Sequence, residues 1–239
     1  FYDVWAELFQ IPYERPALDD AFALRLEDYQ CENGGIVIAN PNAPTGIRQS
    51  EEFLRAVIEA NPNVVVIIDE AYADFSGYTA LPLVDEYENV VVVQTFSKSR
   101  SMAGMRIGHA IGNAKLIKAM NDVRYSFNSY PMTRLSVALG VAALSDQDYF
   151  EETTAKIVAT RERTKQALTE LGFTFGDSMT NFIFATHKTV PATHLFEELR
   201  KQHFSNPRID NYLRISIGTD AEMDRFLAAV QEIIAQWDK

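Results

Sequence analysis

The sequence has little cysteine, no long apolar run and no signal-peptide pattern in its first residues. Cys31 is the only cysteine among 239 residues, so the described chain cannot close a disulfide on itself. No stretch of about 18 consecutive apolar residues occurs, which argues against a membrane-spanning helix. The first eight residues also lack the basic start and apolar centre of a signal peptide. These absences predict a cytoplasmic protein that does not enter a membrane.

Positive charge is also in short supply. The sequence has 22 Lys and Arg residues against 33 Asp and Glu residues, a formal net charge of −11. This balance disfavours nonspecific binding to nucleic acid or to an anionic membrane surface. An anionic ligand must therefore be held locally by specific cations and aimed N–H groups, and Arg106 and Arg214 are the candidate cations.

Three apolar runs predict the strands of a parallel sheet. They are separated by helical stretches, one of which begins after a Ser50 cap, and this order is typical of βαβ units with both sheet faces covered. A further strand, Arg106–Ile111, follows Lys98 too closely for a helical crossover and is expected to pair antiparallel. The prediction is a three-layer α/β/α sandwich with a mainly parallel, mixed sheet. The three runs are residues 35–39, 64–69 and 89–94.

The second part of the chain predicts a smaller α+β domain. Helical patterns cover residues 132–144 and 147–171, and the longer helix could bridge two domains. We place the boundary near Phe150, which gives a large domain of residues 1–150 and a C-terminal domain of residues 151–239. The remaining pattern alternates strands with helices: strand 182–186, helix 192–201, strand 212–217 and helix 221–237.

Lys98 stands at the most informative place in the chain. It follows an apolar strand, and ligands of open α/β sheets gather outside the carboxyl ends of such strands. Thr95 and Ser97 precede it and Arg106 follows, so three groups suited to a phosphate surround one amine. Each also has an ordinary interpretation: a lysine in a surface turn, hydroxyls that cap that turn, and an arginine paired with a surface carboxylate.

A carboxylate, a phenol and an amide complete the pattern. Asp69 closes an apolar run, where a carboxylate is costly unless it meets a cation or donors; the alternative is a helix N-cap. Tyr72 is either a phenol partner or packed core, and Asn42, in the turn from Asn40 to Gly46, could contact a ring oxygen. An amine nucleophile with such partners and a phosphate anchor is what pyridoxal phosphate requires. No metal site is predicted.

The same motifs resemble one family. The segments D-E-A-Y-A-D-F, Q-T-F-S-K-S-R-S-M-A-G-M-R-I-G and P-R-I-D-N-Y-L-R-I-S-I-G-T are similar, in order and spacing, to the fold type I pyridoxal-phosphate aminotransferases. Among these they most resemble the histidinol-phosphate aminotransferases. The resemblance covers essentially the whole chain.

The resemblance implies a role for each candidate residue. Lys98 would form the Schiff base and shuttle the proton between the substrate Cα and the cofactor. Asp69 would keep the pyridine nitrogen protonated, and Tyr72 would bond the ring oxygen. Arg214 would take the carboxylate of an amino or oxo acid, for which its planar fork is suited. Thr95, Ser97 and Arg106 match the phosphate-anchoring positions.

The implied reaction is ping-pong transamination between L-histidinol phosphate and 2-oxoglutarate, by a homodimer of the histidine biosynthesis pathway. The chain departs from the family pattern in three places. Ala43 stands where the family has an asparagine that contacts the ring oxygen, so Asn42 or Tyr72 would have to serve. The chain begins inside the pattern, without the segment that carries a ring-stacking aromatic residue. A few residues are also expected to be missing around His203 and Phe204.

Other activities fit parts of the same pattern. An aromatic or broad-specificity aminotransferase would share every cofactor residue, and a decarboxylase of an amino-acid phosphate is a more distant possibility. A noncatalytic cofactor-binding module is the alternative from another class, although it has no chemical need for Lys98, Asp69, Tyr72 and Arg214 together. A nucleotide-binding domain is set aside, because no G-x-G-x-x-G motif or P-loop follows the strands.

Overall fold

Residues 2–204 and 206–237 are described by the computed structural model, and they contain two four-stranded sheets. The strands are β1 (Ile36–Ala39), β2 (Val66–Asp69), β3 (Val90–Thr95), β4 (Gly108–Gly112), β5 (Phe173–Phe175), β6 (Phe182–His187), β7 (Arg208–Ile209) and β8 (Tyr212–Ser216). The α-helices are α1 (Tyr2–Leu8), α2 (Glu51–Ala60), α3 (Leu83–Glu86), α4 (Ala114–Phe127), α5 (Arg134–Ser145), α6 (Gln147–Glu170), α7 (Ala192–Lys201) and α8 (Asp220–Trp237). Short 3-10 helices occur at Leu26–Tyr29, Ala73–Phe75 and Ala103–Met105.

The first sheet has the strand order β1-β2-β3-β4. Strands β1, β2 and β3 are parallel, and β4 pairs antiparallel with β3, which confirms the predicted mixed sheet. In the register, Asp69 lies between Ala39 of β1 and Val93 of β3. The carboxyl ends of three parallel strands therefore meet at one edge, and Asp69 is part of it.

Helix α2 covers one face of this sheet. The Ser50 side chain accepts a hydrogen bond from the Phe53 N–H at 3.2 Å, which confirms the predicted cap. Leu54, Val57 and Ile58 recur at helical spacing and are almost wholly buried against the sheet. On the opposite face of the sheet Val37 is 41% exposed.

The second sheet has the order β5-β6-β8-β7 and is antiparallel throughout. Its strands alternate: Ile183, Ala185, Leu213 and Ile215 face a core that is shared with α6, α7 and α8. Phe182, Phe184 and Arg214 occupy the alternate positions and so belong to the other face.

Hydrogen bonds to backbone carbonyls join the two sheet regions. The buried Arg161 of α6 donates from Nη1 to the carbonyl oxygens of Phe75 and Thr180, both at 3.0 Å. Nearby, the Met179 N–H donates to the Gly46 carbonyl at 2.8 Å. Gly46 has a φ of +78°, and a Cβ at this position would lie 2.5 Å from the Ser178 Oγ. Only glycine fits this combination of backbone conformation and close approach.

The structure corrects one predicted strand boundary. Arg106 does not lie in a strand: it follows the 3-10 helix Ala103–Met105 with a φ of +55°, and β4 begins at Gly108. The reason is that Ala103–Met105 curls the chain before it can pair with β3. Helices α1 and α4 and the short strands β5 and β7 were not predicted. None of the helices in the described part of the chain is both long and apolar enough to cross a membrane.

Candidate active site

Asp69 ends strand β2 with both carboxylate oxygens engaged. Its Oδ1 accepts a hydrogen bond from the Ala71 backbone N–H at 3.0 Å, and its Oδ2 accepts one from the Tyr2 hydroxyl at 2.8 Å. Burial raises the pKa of the Tyr2 phenol, and the nearby Asp69 charge raises it further. The phenol is therefore held in its neutral, donating form.

Tyr72, Lys98 and Arg214 come together beside Asp69's strand end. The Lys98 Nζ lies 5.3 Å from the centroid of the Tyr72 ring. The Tyr72 hydroxyl accepts a hydrogen bond from Arg214 Nη2 at 3.3 Å, a contact that spans 142 positions in the chain. The fold thus places an amine, a phenol and a guanidinium from three separate segments in one small region.

Phe182 supports this group from the second sheet. The Arg214 guanidinium carbon lies 3.8 Å from the centroid of the Phe182 ring, and the Phe182 and Tyr72 rings make a T-shaped contact with a centroid distance of 5.2 Å. Phe182 is fully buried and Tyr72 is only 9% exposed. The buried Phe182 ring therefore packs against both Arg214 and Tyr72, and this packing restricts the orientation of the Arg214 guanidinium.

Thr95 and Ser97 lie at the carboxyl end of β3. The Thr95 hydroxyl is 3.0 Å from the Ser97 Oγ and 3.2 Å from the Ile107 carbonyl oxygen, and it also accepts from the Ser97 N–H at 3.1 Å. Arg106 is exposed and donates to the Ala103 carbonyl at 2.9 Å. Within the described residues no hydrogen bond joins the Arg106 guanidinium to either hydroxyl. Of the three side chains predicted to bind phosphate, the structure therefore brings two, Thr95 and Ser97, into contact.

The turn after β1 carries two asparagine amides, and one of them has a donor without a partner among the described residues. The Asn42 Nδ2 donates to the Thr45 Oγ1 at 2.8 Å, so the amide that was expected to reach a ring oxygen is tied into its own turn. Asn40 is only 1% exposed; its Oδ1 accepts from the Gln49 N–H at 2.7 Å. Its Nδ2 has no hydrogen-bond partner in the described structure. A buried donor of this kind is costly unless a bound group meets it.

Comparisons with known proteins cover nearly the whole chain. The family model described as aminotransferase class I and II matches residues 4–230. The chain belongs to the class I and II aminotransferases. A histidinol-phosphate aminotransferase of Lactococcus lactis subsp. cremoris is 46% identical over 244 residues, an alignment that covers 100% of this chain and 68% of the relative.

Solved structures related to this aminotransferase have the same fold. A putative histidinol-phosphate aminotransferase of Erwinia carotovora atroseptica superposes with a TM-score of 0.89 at 25% identity, over 98% of this chain and 71% of the other. A histidinol-phosphate aminotransferase of Sinorhizobium meliloti, solved in complex with pyridoxal-5'-phosphate, has a TM-score of 0.75 at 30% identity, over 85% and 58% of the two chains. The predicted α/β fold class is thereby confirmed.

Two polar contacts around the aminotransferase site were not predicted from the sequence. The buried Ser99 donates a hydrogen bond to Asp74, which ties the segment next to Lys98 to the 3-10 helix that follows Tyr72. Asp74 lies inside the D-E-A-Y-A-D-F segment, and that position was the only available signal. The residue beside Lys98 is therefore anchored, although the Lys98 side chain itself is exposed.

Glu70 forms a second unpredicted network behind Asp69. It is only 3% exposed and accepts hydrogen bonds from the Thr79 hydroxyl at 2.6 Å, the Ala80 N–H at 2.5 Å and the Gln94 amide at 2.8 Å. Burial raises the pKa of this carboxyl above its ordinary value, and the three donors oppose that rise. Glu70 thus fixes the end of β2 to β3 and to the turn at Thr79.

Proposed function

We propose that this aminotransferase moves an amino group between L-histidinol phosphate and 2-oxoglutarate, with pyridoxal phosphate as its cofactor. The observation that carries the proposal is the meeting of Lys98, Tyr72 and Arg214, with Nζ 5.3 Å from the Tyr72 ring centroid and a 3.3 Å hydrogen bond from Arg214 to the Tyr72 hydroxyl. Histidinol phosphate is supported as one substrate by histidinol-phosphate aminotransferases that are 44–46% identical across nearly the whole chain, and 2-oxoglutarate is proposed from the family resemblance.

The residues present suit the cofactor. Its aldehyde needs an accessible amine, and Lys98 is exposed three residues after β3. Its ring nitrogen needs a carboxylate, and Asp69 ends the adjacent strand. The Asn40 Nδ2 is a buried donor without a protein partner in the described residues, as expected beside a site that a polar group completes. When bound, pyridoxal phosphate withdraws electrons and so stabilises negative charge at the substrate Cα.

Each side chain then has a defined role. Lys98 would hold the cofactor through its aldehyde carbon, with loss of water, and as a free amine would carry the proton to and from the substrate Cα. The Asp69 carboxylate keeps the proton on the pyridine nitrogen, and the Tyr72 hydroxyl donates to the ring oxygen.

The remaining candidates bind anions. Thr95, Ser97 and Arg106 hold the phosphate of the cofactor; the Arg106 Nη1 donates to the Ala103 carbonyl, and the other N–H groups of its guanidinium can serve the phosphate. Arg214 binds the substrate carboxylate as a planar fork. Asn42 donates one N–H of its amide to Thr45 and has a second N–H that can serve the ring oxygen, and Ala43 offers no polar side chain there.

We also propose the domain division at residue 150 and a homodimer. The strands of the second sheet all lie between residues 173 and 216, after the proposed boundary.

Helices α4 and α5 and the segment between them expose large apolar side chains, including Phe127 at 78% and Tyr130 at 92%, which is typical of a surface covered by another subunit. Sedimentation at micromolar concentration should give twice the chain mass, whereas a single-chain mass would contradict the homodimer. The cytoplasmic location remains a prediction.

A single-turnover experiment tests the activity. The holoenzyme is mixed separately with histidinol phosphate, glutamate and phenylalanine, and the absorbance of the bound cofactor is followed as its aldehyde form converts to the amine form. Rapid conversion by histidinol phosphate and by glutamate is expected. Faster conversion by phenylalanine would instead identify an aromatic aminotransferase, and bound cofactor that no donor converts would identify a noncatalytic module.

A pair of lysine variants controls this experiment. Lys98→Ala should abolish conversion by every donor, because no other amine is proposed to carry the proton. Lys115→Ala removes an exposed lysine from the start of α4 and should leave conversion unchanged. Wild-type conversion by Lys98→Ala would contradict the proposed catalytic role of that residue.

A further inference from the structure

Tyr2 makes a contact with Asp69 that neither the motifs nor the family resemblance identified. The two residues are 67 positions apart, and Tyr2 lies in α1 while Asp69 ends β2. The hydrogen bond is 2.8 Å from the phenol oxygen to Oδ2, within the usual range for a hydroxyl donor. Helix α1 thus reaches the same strand end that carries the proposed partner of the cofactor ring.

The contact fixes a side-chain torsion that is otherwise broad. The last torsion of an aspartate has no sharply preferred rotamer, so an unrestrained carboxylate samples a wide range of orientations. Here the Ala71 N–H holds Oδ1 at 3.0 Å and the Tyr2 hydroxyl holds Oδ2. Donors on both oxygens, supplied by different segments, leave the carboxylate plane little freedom to turn.

The contact leaves room for a third donor. An ionised carboxylate has about four lone-pair sites, and the two hydrogen bonds of Asp69 use two of them. A protonated ring nitrogen can therefore still bind the same group. The Tyr2 phenol keeps its own proton, since burial and the Asp69 charge both raise its pKa, and a neutral phenol remains a donor across the working range of pH.

We propose that Tyr2 is a positioning residue: its hydroxyl orients the Asp69 carboxylate for the ring nitrogen of the cofactor. This inference rests on the proposed role of Asp69. Tyr2 acts through Asp69 and does not itself contact the reacting atoms. Its contribution is therefore a stronger grip on the cofactor and a faster chemical step, with no effect on how tightly the amino donor binds.

The test compares Tyr2→Phe with Tyr13→Phe in the full-length protein. Tyr13 is an exposed tyrosine of the same N-terminal segment, and none of its described contacts is with Asp69. The cofactor is stripped, and the dissociation constant of pyridoxal phosphate is measured by titration, followed by kcat and KM for glutamate. Tyr2→Phe should weaken cofactor binding about tenfold and lower kcat while KM stays within twofold, since a hydrogen bond to a charged group is lost. Tyr13→Phe should match the wild type.

A double-mutant cycle with Asp69→Asn separates this inference from the proposed function. If Tyr2 acts through the Asp69 charge, Tyr2→Phe should change cofactor affinity less than twofold once Asp69 is Asn. An equal loss in both backgrounds, a wild-type affinity for Tyr2→Phe, or a tighter one, would overturn the positioning role. If Asp69→Asn binds cofactor like the wild type, the role of Asp69 fails as well. If Asp69→Asn is impaired and Tyr2→Phe is not, only the role of Tyr2 fails.

Discussion

The Arg214 guanidinium stacks on the buried face of Phe182, with 3.8 Å between its central carbon and the ring centroid. Phe182 has no solvent exposure, so the contact is shielded from water on the side of the ring. A cation over an aromatic face in such surroundings gains about 2 kcal/mol. The energy holds the guanidinium in one place before any substrate arrives.

Phe182→Leu should therefore weaken substrate binding more than catalysis. Leucine keeps the apolar volume but removes the aromatic face, so we expect KM for 2-oxoglutarate to rise roughly tenfold with kcat within about threefold of the wild type. Steady-state kinetics measures both values. Phe226→Leu is the matched control, because Phe226 is equally buried in the core on the other side of the second sheet. A wild-type KM for Phe182→Leu would contradict the supporting role of the ring.

Arg161→Met should lower the stability of the whole chain. The substitution keeps much of the side-chain length but leaves the Phe75 and Thr180 carbonyls without the guanidinium that now bonds both. We expect the free energy of unfolding to fall by about 2–4 kcal/mol, measured by urea denaturation. Arg163→Met is the control: Arg163 is exposed, and its ion pairs with Asp220 and Asp224 should contribute no more than about 1 kcal/mol. Equal losses in both variants would contradict this account.

Glu70→Gln should change how stability depends on pH. Burial raises the pKa of Glu70 in the folded state, so the folded chain binds this proton more tightly than the unfolded chain does. The stability gained from that proton is fully present below the ordinary pKa of 4.5 and is lost as pH rises through the higher folded value. Glutamine does not titrate. The variant should therefore gain stability relative to the wild type as pH rises from 4.5 towards neutrality.

Glu52→Gln provides the opposite sign. Backbone N–H donation near the start of α2 and the Ser50 side chain lower the pKa of Glu52, so its contribution is present above the ordinary pKa and is lost as pH falls through the lower value. Glu52→Gln should therefore be less stable than the wild type near neutral pH, and this difference in the free energy of unfolding should disappear in acid. Urea denaturation at several pH values measures the free energy of unfolding of each variant relative to the wild type. If this difference changed with pH in the same direction for Glu70→Gln and Glu52→Gln, the assigned pKa shifts would be contradicted.

Gly46→Ala should destabilise the chain more than Gly77→Ala. Both glycines have a positive φ, +78° and +66°, and so carry a similar backbone penalty for alanine of about 1 kcal/mol. At Gly46 the new Cβ would also lie 2.5 Å from the Ser178 Oγ, whereas nothing lies within 4 Å at Gly77. We expect a total loss of about 3 kcal/mol at Gly46 and about 1 kcal/mol at Gly77, measured by thermal or urea unfolding. Equal losses would show that the approach of Ser178 is not limiting.

The first sheet could be predicted because its signals are local. The apolar runs that end at Asp69 and before Lys98 mark β2 and β3, and the short distance from Lys98 to β4 leaves no room for a parallel connection. Arg106 was placed wrongly in a strand for the same reason: the apolar pattern after it continues into β4, whereas the turn at Ala103–Met105 has no periodic signal. The two-residue strand β7 is too short to leave a pattern at all.

The contacts that build the site depend on tertiary structure. The Tyr2–Asp69 and Tyr72–Arg214 hydrogen bonds join residues 67 and 142 positions apart, and no local periodicity encodes such pairs. Phe182 looked like an ordinary strand residue, because its alternation with Ile183 predicts two faces without saying what packs on each. The candidate residues could be chosen from the sequence, but the groups that hold them in place could not.

The order of the strands along the chain also affects how the protein is made. Asp69, Tyr72 and Lys98 have all been synthesised once residue 98 has been added, whereas Arg214 lies in β8, the last strand of the described residues. Strand β6 can pair with its neighbour β8 only after β8 has been synthesised, so the contact between Phe182 and the Arg214 guanidinium cannot form before then. The growing chain can thus assemble the groups proposed for the cofactor well before it acquires the one proposed for the substrate.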